Sequence, residues 1–202
     1  MYFQKEIETL SSPQLKKLQE ERLINLVDFC YKKQPFYKES MDKINLKPKD
    51  IKGIEDIKKL PFTTKTHLRD HYPFGLLTMP VNQLAEIHAS SGTTGKPTVV
   101  AYAQEDLQVW SDVMSRAMVC AGAKPGNLVH NGYGYGLFTG GLGVHYGSLN
   151  GKFPVIPVSS GATKRQLMLI QDFEPKILTC TPSYTLFLAE EAKALGIDPK
   201  TL

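Results

Sequence analysis

Cysteine is scarce in this 202-residue chain: Cys30, Cys120 and Cys180 stand far apart, with no C-x-x-C pair and no histidine at ligand spacing. That excludes a disulfide framework and a sulfur-ligated zinc site, and reads as reduced thiols in a cytoplasmic protein. Long apolar runs are missing too. No window approaches the roughly 18 consecutive apolar residues that a bilayer-spanning helix requires, so no membrane partner is expected. The first ten residues carry Lys5, Glu6 and Glu8 and lack the apolar stretch of a secretory signal. No repeat and no low-complexity segment interrupts the text. Nor is there a block of one charge. Residues 1–70 hold 15 Lys/Arg and 11 Asp/Glu, and the remainder holds nine of each, so the whole net charge of +4 lies in the first third. The signs alternate along helix-like text, which describes a solvated helical surface rather than a nucleic-acid-binding arm.

What is present suffices for a sizeable core: 42% of the residues are hydrophobic, with nine Phe and nine Tyr but one Trp. The chain divides at about residue 80. In the mainly helical segment 1–80, Leu15, Leu18, Leu23, Leu26, Val27 and Cys30 recur at helical spacings until Gln34-Pro35 stops them. Prolines then punctuate three short pieces, and Thr64 is placed to cap a helix running towards Asp70.

Residues 81–202 read differently. Strands are expected at 84–89, 98–103, 127–131, 153–158 and 176–180. Helices are expected at 105–121, 140–149, 163–173 and 183–195, the first with Leu107, Trp110, Met114, Ala117, Met118 and Ala121 on its buried face. Such alternation predicts the α/β class with a largely parallel sheet, whose ligands gather at the carboxyl ends of the strands.

Two constellations carry chemistry. The first is "SSGTTGKPTVV", residues 90–100. Small residues let the backbone turn tightly and present N–H groups to an anion. Ser90, Ser91, Thr93 and Thr94 add hydroxyl donors around Gly92 and Gly95, and Lys96 adds a mobile positive charge. A Walker loop reads G-x-x-x-x-G-K-[ST] and opens a helix. Here Pro97 takes the place of the metal-binding hydroxyl and β-branched residues follow, so the loop joins two strands. On these residues alone, a phosphate loop and a ligand-free hairpin loop stand equal.

The second is "NGYGYGLFTGGLGVHYG", residues 131–147, with seven glycines and four aromatics. Tyr133, Tyr135 and Phe138 beside floors at Gly140, Gly141 and Gly143 suit a flat apolar ligand. Close packing of a helix on the sheet would also use glycines, and the sequence does not separate the two roles. His145 reads either as a gate that meets a carboxylate or as a satisfied structural histidine. Cys180 reads as buried strand packing, and Thr181 or Ser183 as a helix cap.

The string "HASSGTTGKPTVVAY" resembles the phosphate loop of adenylate-forming enzymes, in the version carried by the phenylacetate–coenzyme A ligase family. "LPFTTK", "LRDHYPFGL", "GYGLFTGGLGVHYG", "VIPVSSG" and "TPSY" are similar to the same family and follow in order along the chain. The resemblance implies a ligase, with residues 81–202 an α/β nucleotide- and acyl-binding subdomain and the chain the N-terminal part of a longer protein. A carboxylate would attack the α-phosphorus of ATP, expelling pyrophosphate, and the thiol of coenzyme A would then displace AMP. Ser90, Ser91, Gly92, Thr93, Thr94, Gly95 and Lys96 would hold the phosphates, with Lys96 counted as catalytic. Tyr133, Tyr135, Gly136, Phe138, Gly140, Gly141 and His145 would line the arylacetate site.

Mg²⁺ would bridge phosphate oxygens, but no metal ligand is nominated within these residues. The family's acidic magnesium ligand, ribose-binding aspartate and mobile-domain lysine have no counterpart after Ser183, so the isolated chain is expected to be inactive. The partners are a small carboxylate, ATP and coenzyme A, in a monomer or a homodimer. Adenylation of another carboxylate, AMP transfer to a different acceptor, and a non-catalytic nucleotide-binding module remain as alternatives.

Overall fold

The computed structural model describes residues 1–90 and 96–201. The chain forms two compact units, one from Gln4–Ala101 and the other from Tyr102–Leu202 together with Met1–Phe3.

The first unit is chiefly helical. After a short α1 (Lys5–Glu8), α2 (Ser12–Lys33) and α3 (Pro35–Asp42) pack as a pair, and α4 (Lys65–Asp70) follows. Val27, Met41, Leu46 and Ile51 form its core, with Leu23, Ile24, Tyr31 and Leu60 packed around them. Gln34 ends α2 where the sequence predicts a stop, and its side chain does more. Its Oε1 accepts from Phe36 N at 3.0 Å and so opens α3, while its Nε2 donates to the carbonyls of Gly75 and Leu77. Strands β1 (Glu86–Ala89) and β2 (Val99–Tyr102) form a two-stranded sheet separate from the main one. The single alternating sheet expected from the sequence is thus divided into a two-stranded and a three-stranded sheet.

The second unit runs α5 (Gln104–Cys120), β3 (Val129–Asn131), α6 (Thr139–Asn150), β4 (Val155–Ile156), α7 (Thr163–Phe173), β5 (Ile177–Thr179) and α8 (Pro182–Ala194). Its sheet is parallel, ordered β4-β3-β5, with Val129 beside both Val155 and Ile177. The chain steps from β3 to one neighbour, then crosses back over β3 to the other. Right-handed crossovers therefore put α6 and α7 on opposite faces. On one face Met118, Val119, Ala123, Val129, Val144 and Phe153 form a core. On the other, Leu167, Leu188 and Ala192 do so.

The seam between α5 and α6 is built from small residues. A Cβ on Gly143 would lie 2.8 Å from the Trp110 ring, and one on Gly147 would lie 2.5 Å from Met114 Cβ. Ser115, fully buried, donates to the carbonyl of Gly147 at 2.8 Å, and Asn150 donates to Ser115 Oγ and Asp112 Oδ1. This close approach sets Trp110 and Met114 of the expected face against α6 and also turns Ser115 inward. Ser115 and Val119 are buried, while Ala117 and Ala121 are exposed.

Overpacking of such a seam typically costs about 1–3 kcal/mol. Gly143→Ala should destabilise the chain by that order, read as a lower urea midpoint with an unchanged m-value.

Candidate active site

In a parallel sheet, the crevice opens where neighbouring strands send their following segments to opposite faces. Here β3 exits towards α6, whereas β4 and β5 lead to α7 and α8. The residues after β3 are the glycine-aromatic constellation, so the topology places it at the carboxyl edge.

Asn131, at the end of β3 and fully buried, organises this edge. Its Nδ2 donates to Tyr135 Oη at 2.8 Å and to the Gly141 carbonyl at 2.9 Å. Its Oδ1 accepts from Thr179 Oγ1 at 3.1 Å and from Tyr133 N at 3.3 Å. Since Tyr135 Oη already accepts from Asn131, its proton is available to His145 Nδ1, 3.2 Å away. Burial pushes the Tyr135 phenol above its ordinary range, and the Asn131 hydrogen bond partly opposes this. His145 packs edge-on against Tyr135 and Tyr146.

The glycines separate by role. Gly141 is buried with the Gly134 carbonyl where its side chain would be, which makes it a close-approach glycine. Gly140 faces the Phe138 and Tyr133 rings, with ring carbons 3.4–3.5 Å from a would-be Cβ, so it forms a floor beside them. Gly136 has φ +158 and open space, and Phe138 is 68% exposed. Tyr133 lines a cleft of about 450 Å³ together with Met114, Met118, Val144, Thr179 and Cys180; Tyr135, Phe138 and His145 are not among its walls. Cys180 is half-buried beyond the end of β5, with Sγ 2.9 Å from Thr185 Oγ1, rather than packed within the strand. Thr181, one of the two expected caps, holds the N-cap position of α8 but makes no side-chain capping hydrogen bond.

A second polar clamp holds the segment after β4. Gln166 spends both amide protons on the carbonyls of Ser159 (3.0 Å) and Gly161 (2.7 Å), which turns its Oε1 towards His130 Nε2 at 3.0 Å. His130 must then donate from Nε2. Its Nδ1 makes no hydrogen bond among the described residues. Ser159 Oγ accepts from Tyr135 N at 3.3 Å, joining the two exits.

Sequence reasoning passed over Asn131, Gln166 and Thr179. A polar residue closing a buried strand was the signal for Asn131. Gln166, inside a helix, offered none.

In the other unit, Ser90 and Thr98 close the neck of the glycine loop. Ser90 N donates to Thr98 O, and Thr98 N donates to Ser90 Oγ, both at 2.9 Å. Lys96 Nζ lies 5.6 Å from the centre of the Tyr72 ring. Ser91, Gly92, Thr93, Thr94 and Gly95 lie outside the described residues. Among the described residues, no three His, Cys, Asp or Glu side chains gather as a metal site.

Burial holds the His130 imidazole below its ordinary value of 6.5, and the Gln166 hydrogen bond opposes this more weakly. A base depressed by folding contributes stability above its unfolded pKa and loses it as the pH falls, because the unfolded chain then binds more protons. The unfolding midpoint should drop between about pH 7 and pH 5, more steeply in wild type than in His130→Asn, as read by urea titration at each pH.

No family model matches the chain. Among curated proteins, it is 53% identical over 202 residues to a phenylacetate-coenzyme A ligase of Thermus thermophilus, covering 100% of this chain and 45% of that enzyme. It is 47% identical over 193 residues to the phenylacetate-coenzyme A ligase of Aromatoleum evansii, covering 96% of this chain and 44% of that one. It is 46% identical over 193 residues to the Escherichia coli K12 enzyme of the same name, covering 95% and 44%.

Among solved structures, it superposes on 2-hydroxyisobutyryl-CoA ligase in complex with 2-HIB-AMP and CoA. The TM-score is 0.90 and the identity 27%, over 96% of this chain and 42% of that one. An open conformation of that ligase gives a TM-score of 0.89 at 26% identity, over 96% and 46%. The chain thus spans a little under half the length of the relatives it matches. Over that span, its sequence is similar to those of the phenylacetate-coenzyme A ligases and its fold to that of 2-hydroxyisobutyryl-CoA ligase.

Proposed function

We propose that this chain is the N-terminal part of an AMP-forming acid–thiol ligase that activates phenylacetate or a related arylacetic acid and passes the acyl group to coenzyme A. The observation that carries this reading is the 53% identity across the whole chain with a phenylacetate-coenzyme A ligase.

The chemistry has two steps. A carboxylate oxygen attacks the α-phosphorus of ATP and the bond to the β-phosphate bridge breaks, releasing pyrophosphate. The thiolate of coenzyme A then attacks the acyl carbon, and AMP leaves with the bond electrons. In this reading, the backbone at Gly92 and Gly95 and the hydroxyls of Ser91, Thr93 and Thr94 hold the β- and γ-phosphates. Lys96 offsets the charge that accumulates on the leaving pyrophosphate. Ser90 keeps its hydroxyl proton for donation, since its oxygen is the acceptor at the neck. The acid's aryl group lies against Tyr133, Tyr135 and Phe138 over Gly136, Gly140 and Gly141, and the Tyr135–His145 pair forms the polar end. Mg²⁺ accompanies ATP as its counter-ion, and no step is assigned to it here.

The likeness to a ligase for a hydroxy acid favours one second reading, a relative acting on another carboxylate. AMP release measured with each acid, with and without coenzyme A, separates the two.

The purified 202-residue chain should show no phenylacetate-dependent ATP–pyrophosphate exchange; robust exchange would overturn the assignment of the missing parts. In the full-length enzyme, Lys96→Ala should slow adenylation by about 10²–10³-fold, the usual scale for one charge-stabilising donor. Thiolysis of supplied acyl-adenylate should stay within a few-fold. Equal loss in both half-reactions would contradict the role given to Lys96.

A further inference from the structure

The segment "LRDHYPFGL", residues 68–76, has no part in the chemistry above, yet it is built with care. Tyr72 N donates to Arg69 O at 3.1 Å, and Gly75 N donates to His71 O at 2.8 Å. A Cβ on Gly75 would lie 2.8 Å from His71 O and 2.9 Å from His71 Cβ, so the turn closes too tightly for a side chain. Gln34, 2% exposed, clamps the far side through the Gly75 and Leu77 carbonyls. Phe36 packs against His67 and His71, with ring centres 5.1 and 5.0 Å apart. Tyr72 is held between these anchors, and the residue remains 39% exposed.

Onto that ring comes Lys96. Its ammonium lies 5.6 Å from the ring centre, and no carboxylate partner for it occurs among the described residues. A ring face attracts a cation through its quadrupole without cancelling the charge. A carboxylate would fix the lysine equally well but would neutralise it and compete with an arriving anion. The ring also takes one side of the ammonium, leaving N–H donors directed elsewhere.

We propose that Tyr72 is a positioning residue for Lys96, an uncharged seat that restricts the lysine's rotamers while preserving its full charge for the phosphates. This rests on reading the 90–98 loop as a phosphate site.

The test uses the full-length protein with two readouts. The first is NMR of ¹³C-dimethylated lysines, with the Lys96 signal identified by its loss in Lys96→Met. The signal should be shifted upfield by the ring in wild type and in Tyr72→Phe, and should return to the bulk position in Tyr72→Leu. The second is calorimetric affinity for inorganic pyrophosphate. Tyr72→Leu should weaken it about two- to fivefold, the scale of an exposed cation–π contact. Tyr72→Phe should retain it, and Tyr72→Leu should add nothing in the Lys96→Met background.

An unshifted Lys96 signal overturns the proposal, even where Lys96→Met weakens pyrophosphate binding. So does a Tyr72→Leu penalty that persists without Lys96, or a Tyr72→Phe variant as weak as Tyr72→Leu, since either marks a merely structural tyrosine. If the signal is shifted but Lys96→Met leaves pyrophosphate affinity unchanged, the phosphate reading of the loop fails and the seat has no role in it.

Discussion

The buried carboxamide of Asn131 is the interaction on which the carboxyl edge of the sheet depends. Both its protons and its oxygen are engaged, binding the end of β3 to Tyr135, Gly141, Tyr133 and Thr179. A buried donor or acceptor left without its partner costs about 1–3 kcal/mol, and loss of this one side chain would strand several at once. Gly141 lies directly against the Gly134 carbonyl, so the start of α6 and the turn before it are locked together. The aromatic rings of that turn inherit their positions from this lock.

A second clamp of the same kind stands beside it. Gln166 faces two carbonyls after β4, and those bonds dictate which of its ends meets His130. The tautomer of a fully buried imidazole is thereby set by a loop two elements away in sequence. The clamps meet where Ser159 accepts from Tyr135 N. Two exits from one sheet are thus held by side chains whose hydrogen-bonding capacity is almost wholly spent, which suits a surface that must keep its shape around a ligand. Phe138, mostly exposed beside this platform, is the aromatic least constrained by it.

How far the sequence was legible follows from what periodicity can encode. The helix at Thr163–Phe173 lies where the sequence places it, and Gly122 and Gly196, with φ +105 and +76, stop α5 and α8 as expected. The buried face of α5 was misjudged because a hydrophobic pattern counts serine as outward. Ser115 turns inward because Gly147 brings a carbonyl within reach of its hydroxyl, a fact of the neighbouring helix. The glycines of 131–147 were recognisable as a group but not one by one. Only the approach of Trp110, Met114 and the Gly134 carbonyl tells the packing glycines from Gly140. Of the candidate site, the aromatic residues were readable from composition. The polar residues that hold them were less so: the sequence marks Asn131 only as the close of a buried strand, and Gln166, inside a helix, not at all.

The glycine loop departs from a Walker loop for a reason visible at its neck. Ser90 pairs with Thr98 through two hydrogen bonds, and Pro97, which has no N–H to give, sits just inside that pair. The ladder therefore begins one residue later, and Lys96 emerges immediately before it. A loop that opens a helix draws on aligned backbone dipoles to attract phosphate. A loop set between two strands has no such field behind it, so the positive charge must come from a side chain. A lysine on four rotatable carbons is a poor fixed charge unless something limits where it goes. An aromatic ring on a braced turn supplies that limit without surrendering the charge, and Tyr72 is so placed. In the proposed reading the proline starts the strand, the lysine supplies the charge that a helix would, and the tyrosine limits where that charge goes.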